Sequence, residues 1–178
     1  MHTIVADADG LIKLGKSGAL PTLLSATRVL VPQAVWDEAI EEGKRRMYED
    51  AYVLERELRA SGAEVVADEH NEEAEALLAG SATALGAGER AALGVFFVRS
   101  AEAVLTDDRA FLGLLAAAEP TVPALVPAAA IVSLMEAGRL STEDAREALG
   151  KLEGSVRKSV LRAALDEVDA VETRTKGE

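Results

Sequence analysis

The sequence has no cysteine and only two histidines among its 178 residues. Without cysteine there are no disulfides and no thiolate metal sites, so we expect any metal ion to be bound through oxygen ligands. Neither His2 nor His70 has a partner at metal-ligand spacing, and nothing in the sequence supports a Ser-His-Asp arrangement. Carboxylates are therefore the candidate reactive groups.

Long apolar runs and a surplus of positive charge are also missing. No run approaches the length of a membrane span, and the first residues lack a basic region followed by an apolar stretch. We therefore expect no membrane helix, no signal peptide and a cytoplasmic location. The net charge of −12 argues against non-specific binding of nucleic acid, which needs Lys and Arg at the phosphates. A local basic patch still acts over about one Debye length.

What remains is the composition of a globular protein. Hydrophobic residues make up 49% of the chain and charged residues 28%, which excludes a disordered or fibrous chain. The length suits one substantial core. We expect a main domain over residues 1–150, followed at 151–178 by a C-terminal helix and tail packed on the same domain or on a partner. Apolar residues recur there at helical spacing, at Val156, Val160, Leu161, Ala164, Leu165 and Val168.

Short apolar segments alternate with helical patterns along the chain. Strands are predicted at residues 3–6, 28–32, 64–67, 103–106 and 121–125, the last at a sheet edge because Pro123 interrupts it. Helices are predicted from Pro32 onward, after Gly88, and over 128–136, 141–152 and 155–171. The alternation predicts an α/β fold with a central, mostly parallel sheet of four or five strands covered by helices on both faces.

Acidic pairs follow two of the predicted strands. Asp7 and Asp9 follow the first strand two positions apart, so their carboxylates leave on the same side if the strand geometry persists. Asp107 and Asp108 follow the strand at 103–106. Asp is also favoured at turns and helix N-caps, which is the alternative explanation for each pair. Two pairs at equivalent strand ends favour a site, because ligands bind at the carboxyl ends of parallel strands.

Four segments carry these and further acids in order. They are residues 4–12 (IVADADGLI), 31–38 (VPQAVWDE), 86–93 (GAGERAAL) and 105–111 (LTDDRAF). In this order and at these separations, the segments resemble the four motifs of the PIN-domain family, which includes the VapC-type toxins of prokaryotic toxin–antitoxin pairs. The resemblance spans residues 3–150 and implies a PIN-like, three-layer α/β/α fold.

The resemblance also implies a set of metal ligands. Asp7 matches the first ligand, and Glu38 is the acid of the second motif. Glu89 stands in place of the commoner Asp in the third motif. In the fourth motif the Thr-x-Asp register favours Asp108, with Asp107 as the alternative. These acids would hold Mg²⁺ or Mn²⁺, the hard cations that suit oxygen ligands. Asp9 stands where the family commonly has Ser, Thr or Asn, and its role stays open.

The implied activity is that of a metal-dependent endoribonuclease. A metal-activated water would hydrolyse RNA and leave a 5′-phosphate and a 3′-hydroxyl. Toxin members of the family dimerise and are silenced by a cognate antitoxin, so both partners are expected here. Arg90 and Arg109 each follow a proposed acidic ligand, and each either contacts a substrate phosphate or pairs with the carboxylates. The basic run at residues 44–46 is either a solvated helix face or a phosphate-facing patch.

Two other functions are alternatives. Residues 5–10 (VADADG) also resemble the Asp-x-Asp-Gly opening of haloacid-dehalogenase-type phosphatases, with Asp7 as nucleophile, although Leu11 stands where that family has Thr. The second alternative is a PIN-like scaffold that binds RNA or protein without cutting, since a fold does not ensure activity.

Overall fold

The computed structural model describes residues 2–81 and 84–176, and it contains one five-stranded sheet. All four strand pairs are parallel and the strand order is β3-β2-β1-β4-β5. The strands are β1 Thr3–Ala6, β2 Arg28–Pro32, β3 Glu64–Val66, β4 Ala103–Leu105 and β5 Ala124–Leu125. The chain moves outward from β1 in both directions, so the strand order reverses between β1 and β4. A reversal of this kind is where α/β sheets place their ligand sites.

Helices connect and cover the strands. They are α1 Ala8–Ser17, α2 Leu20–Ala26, α3 Gln33–Trp36, α4 Gly43–Arg45, α5 Glu49–Ser61, α6 Glu72–Ala79, α7 Ala87–Val98, α8 Arg109–Ala117, α9 Pro127–Glu136, α10 Thr142–Lys151 and α11 Lys158–Lys176. A π-helical segment, Asp37–Glu42, joins α3 to α4. In the described part of the chain no helix has both the length and the apolar character needed to cross a membrane.

The central strands are buried on both faces. Val5 of β1 belongs to one hydrophobic cluster, while its neighbours Ile4 and Ala6 belong to another. Successive side chains of a strand point to opposite faces, so the two clusters lie on opposite sides of the sheet. Helices α1, α9, α10 and α11 contribute to the cluster of Ile4, and α7 and α8 to that of Val5. The predicted three-layer α/β/α fold is confirmed.

The C-terminal helix packs on the same core. Helix α11 contacts α9 and α10, and its Ala164 and Val168 are buried in the cluster of Ile4. The apolar stripe read from the sequence is thus the packed face of α11. The division of the chain at residue 150 stays a prediction.

Gly10 allows helix α1 to begin directly against the end of β4. A Cβ atom at position 10 would lie 2.7 Å from the carbonyl oxygen of Leu105, closer than real Cβ atoms approach such an atom. The same carbonyl accepts a hydrogen bond from the backbone N–H of Asp7 at 2.9 Å. Only glycine fits between these backbones, because it has no side chain.

We expect Gly10→Ala to lower the free energy of unfolding by about 1 to 3 kcal/mol, since the added methyl group forces backbone atoms apart. Urea unfolding followed by circular dichroism measures the change. Gly15→Ala in the same helix is the matched control, because its Cβ would meet only Leu54 Cδ1 at 3.6 Å, an ordinary contact. The control should gain about 0.5 to 1 kcal/mol from helix propensity. Equal effects of the two substitutions would refute the close approach.

Candidate active site

Asp7 lies at the end of β1 with its carboxylate almost fully buried, 3% exposed. It is the N-cap of α1, and its Oδ1 accepts a hydrogen bond from the backbone N–H of Ala8 at 2.8 Å. Its Oδ2 accepts one from Thr106 Oγ1 at 2.7 Å. Both oxygens therefore have a donor, and the side chain is held in one orientation.

Thr106 connects this carboxylate to the second acidic segment. It is fully buried directly after β4, and its Oγ1 accepts a hydrogen bond from the backbone N–H of Asp108 at 3.1 Å while donating to Asp7. In the sequence, Thr106 is the first residue of the Thr-x-Asp pattern, and no role was predicted for it. The structure shows that its hydroxyl joins the ends of β1 and β4.

Glu38 and Glu89 border the same space as Asp7. A Cβ atom at Gly88 would lie 2.8 Å from Glu38 Oε2 and 3.8 Å from Asp7 Oδ1, so these two carboxylates face the open side of Gly88. Glu89 follows in the first turn of α7. Glu38 lies in the π-helical segment, and such segments are frequent at functional sites. The missing side chain at position 88 therefore lets the carboxylates of Glu38 and Asp7 lie beside this buried glycine, together with the methyl group of Val35.

Burial and neighbouring carboxylates raise the pKa of Asp7 and that of Glu38. Burial raises the pKa of Asp7 to about 7, against the lowering effect of the Thr106 hydroxyl, and the charges of Glu89 and Glu38 add to the rise. Partial desolvation raises the pKa of Glu38, and the charges of Glu89 and Asp9 raise it further. Over residues 2–81 and 84–176, no ion pair involves Asp7, Glu38 or Glu89. Their repulsion is not offset by any cation of the described chain.

Asp9 and Asp107 form a second group, bridged by Lys13. Lys13 Nζ lies 2.7 Å from Asp9 Oδ2 and 2.7 Å from Asp107 Oδ2. Burial lowers the pKa of Lys13, but hydrogen bonds to Asp107 and Asp9 outweigh this effect and the net pKa is raised. Lys13 thus stays charged at neutral pH. The sequence reasoning missed it, although its position four residues after Asp9 on a helix was a usable signal.

Asp108 takes a different role from its neighbour. It is the N-cap of α8, and its Oδ1 accepts a hydrogen bond from the backbone N–H of Phe111 at 2.8 Å. This is the helix-capping alternative that the sequence left open for such acids. That Asp108 is a metal ligand stays a prediction.

The candidate phosphate-binding arginines are exposed. Arg90 lies 3.8 Å from Glu75 Oε2, an ion pair at the edge of contact. Arg109 begins α8 and is exposed, with no ion pair to the described residues. The run at 44–46 is instead paired within its own surface, Lys44 to Glu55 and both arginines to Glu42.

The donors at Gly88 fit a hard divalent cation in chemistry and charge. All are carboxylate oxygens, and they lack a counter-charge among the described residues. In the described part of the chain, no three acidic or histidine side chains already form a metal-binding cluster. Mg²⁺ does not need one, because it usually keeps several waters and takes one or two carboxylates together with substrate phosphates.

Fold and site together define a parallel α/β domain with an acidic centre at its topological switch point. A family model described as a PIN domain matches residues 3–169, and the chain therefore belongs to the PIN-domain family. PIN domains are generally nucleases. No curated protein and no solved structure matches the chain. The resemblance to the PIN-domain family read from the four motifs is confirmed, and the matched range includes all four motifs.

We expect Asp7→Asn to stabilise the metal-free protein at high pH. Because the pKa of Asp7 is raised from 3.8 to about 7 on folding, the folded state keeps a proton that the unfolded state releases, and the free energy of unfolding falls as pH rises through this window. Because Asn carries no charge, the free energy of unfolding of the variant does not fall in this pH window for this reason. Above about pH 7 the variant should exceed the wild type by on the order of 2 to 4 kcal/mol.

Urea unfolding in EDTA at several pH values between about 4 and 8 measures this difference. The comparison with wild type cancels the titration of distant groups. A difference that does not change with pH would show that the Asp7 carboxyl titrates normally.

Proposed function

We propose that this protein is a divalent-metal-dependent endoribonuclease whose metal-binding acids are Asp7, Glu38 and Glu89. One observation carries the proposal: a buried carboxylate at the end of the central strand faces two further acids and no cation. An arrangement of this kind is costly in folding and is stabilised by a bound cation. The membership in the PIN-domain family supports hydrolysis of phosphodiester bonds.

Each acid has a distinct place in this proposal. The hydrogen bonds from Thr106 and Ala8 hold Asp7 still, so its carboxylate needs no reorientation to act as a ligand. Glu38 and Glu89 bring longer side chains to the same space. When bound there, Mg²⁺ or Mn²⁺ supplies a lowered pKa for water and stabilises charge on the phosphate.

The exposed arginines are proposed to bind the substrate backbone. Arg109 follows Asp107 and Asp108 in the chain, and Arg90 follows Glu89. A guanidinium suits the two oxygens of a phosphate. RNA as the substrate, with 5′-phosphate and 3′-hydroxyl products, rests on the resemblance to the PIN-domain family.

Purified protein should cut a structured RNA in Mn²⁺ or Mg²⁺ and stop in EDTA. Asp7→Asn, Glu38→Gln and Glu89→Gln should each lower the cleavage rate by on the order of a hundredfold or more, because each removes charge that faces the metal. Asp37→Asn is the matched control: Asp37 precedes Glu38 on the same segment, is exposed, and its carboxylate accepts a hydrogen bond from Gln33 Nε2. Its rate should stay at the wild-type level.

The same assay decides the role of Asp108. Asp108→Asn should keep both cleavage and stability, since Asn is as good an N-cap as Asp. A loss of cleavage rate comparable to that of Asp7→Asn would show that Asp108 is one of the metal ligands. Turnover of a small phosphate ester with a covalent phosphate on Asp7 would instead support the phosphatase, and neither activity would support the binding scaffold.

A homodimer and a cognate antitoxin complete the proposal. Its support is a run of exposed apolar side chains after α4, Met47 at 82%, Tyr48 at 55% and Tyr52 at 54% exposure, of the kind that marks interaction surfaces. Light scattering should give twice the chain mass, and Met47→Glu with Tyr52→Glu should give a monomer. A monomeric wild type would remove the homodimer and leave the nuclease proposal intact.

A further inference from the structure

The acids at the carboxyl edge of the sheet fall into two groups that differ in one respect. Asp7, Glu38 and Glu89 have no cation among the described residues, whereas Asp9 and Asp107 share the ammonium of Lys13. The PIN-type nuclease proposal uses the first group only. The second group also lies at the switch point between β1 and β4, since Asp9 is the second residue of α1 and Asp107 comes two residues after the end of β4.

The bridge between the acids of the second group is short and mostly buried. The side chain of Lys13 is 15% exposed and that of Asp107 is 4% exposed, with both Nζ–O distances at 2.7 Å. The other oxygen of Asp107, Oδ1, is buried and has no hydrogen-bond partner. A buried carboxylate oxygen without a hydrogen-bond partner can act as a metal ligand. The other oxygen of Asp107, Oδ2, is neutralised by the ammonium of Lys13.

We propose that Lys13 is a built-in counter-ion that takes the place of a second divalent ion, so that this edge of the sheet binds one metal ion per chain. The inference rests on the metal-binding part of the proposed function. Its observation is the Asp9–Lys13–Asp107 bridge, in which one ammonium lies within hydrogen-bond distance of both carboxylates.

Competition for the same oxygens explains why a second ion is excluded. A divalent ion bound by Asp9 and Asp107 would have to displace an ammonium that is attached to α1 and cannot diffuse away. With Lys13 in place, the incoming ion meets a positive charge on the oxygens it would use, and the pair carries one net negative charge instead of two. The group at Gly88 has no such competitor and takes the single ion.

Counting bound Mn²⁺ by electron paramagnetic resonance of the free ion tests this inference. The wild type should bind one Mn²⁺ with high affinity, and Lys13→Met should bind two. Lys13→Arg keeps the charge and should bind one. Lys13→Met combined with Asp107→Asn should return the count to one, because the second ion loses a ligand. Lys16→Met is the matched control on the same helix, since Lys16 pairs with the exposed Asp50, and it should bind one.

Each other count overturns the inference in a recognisable way. One ion bound by both the wild type and Lys13→Met would show that Lys13 does not replace a second metal ion, and the nuclease proposal would stand. Two ions in the wild type would also overturn it. No ion in the wild type would remove the metal-binding part of the proposed function along with it.

A measurement on the wild type decides the matter if Lys13→Met does not fold. Crystals soaked in excess Mn²⁺ should show one anomalous peak, beside Asp7, and none between Asp9 and Asp107. A second peak between Asp9 and Asp107 would overturn the inference.

Discussion

The structure of the site depends on keeping the carboxylate of Asp7 out of water. Parallel strands β1 and β4 carry their apolar residues into the core, and the residues that follow them, Asp7 and Thr106, are buried with them. The hydroxyl of Thr106 satisfies one carboxylate oxygen and the N–H of Ala8 the other. These bonds offset only part of the desolvation, because the pKa still rises to about 7. Without a cation, the fold therefore bears a destabilising group at its centre.

The net charge of the molecule is negative, so any attraction of a nucleic acid depends on positive groups close to the site. The net charge of −12 repels nucleic acid at long range, and the acids around Gly88 add to this at the site itself. Attraction of a phosphate must come from groups within a few ångströms, a metal ion on the acids and exposed guanidinium groups such as that of Arg109. Lys13 does not serve this purpose, since its ammonium is taken up by Asp9 and Asp107. The basic surface at residues 44–46 is likewise neutralised by Glu42 and Glu55.

The sheet was predictable because its strands are buried on both faces. Such strands read as continuous β-branched and aliphatic runs, and residues 3–6 and 28–32 were predicted at their observed bounds. The edge strand was predicted over residues 121–125 and is shorter, Ala124–Leu125, because Pro123 cannot donate to the ladder. Helices α2, α5, α6 and α8 are among those that were not predicted. In α5 the charged residues are as many as the apolar ones, so the apolar face that marks a helix is weak in the sequence.

The site was predictable only where sequence position fixes geometry. Asp7 follows a buried strand, so its place at the carboxyl edge of the sheet came from the residues alone, whereas Glu38 and Glu89 came from the family resemblance. The choice between Asp107 and Asp108 depends on where α8 begins, because the residue that caps the helix turns its carboxylate to the backbone of Phe111. Lys13 shows the same limit: its contact with Asp9 spans four residues of one helix, but its contact with Asp107 spans 94 and exists only once the sheet has formed. What separates the two acidic groups is therefore a property of the folded chain.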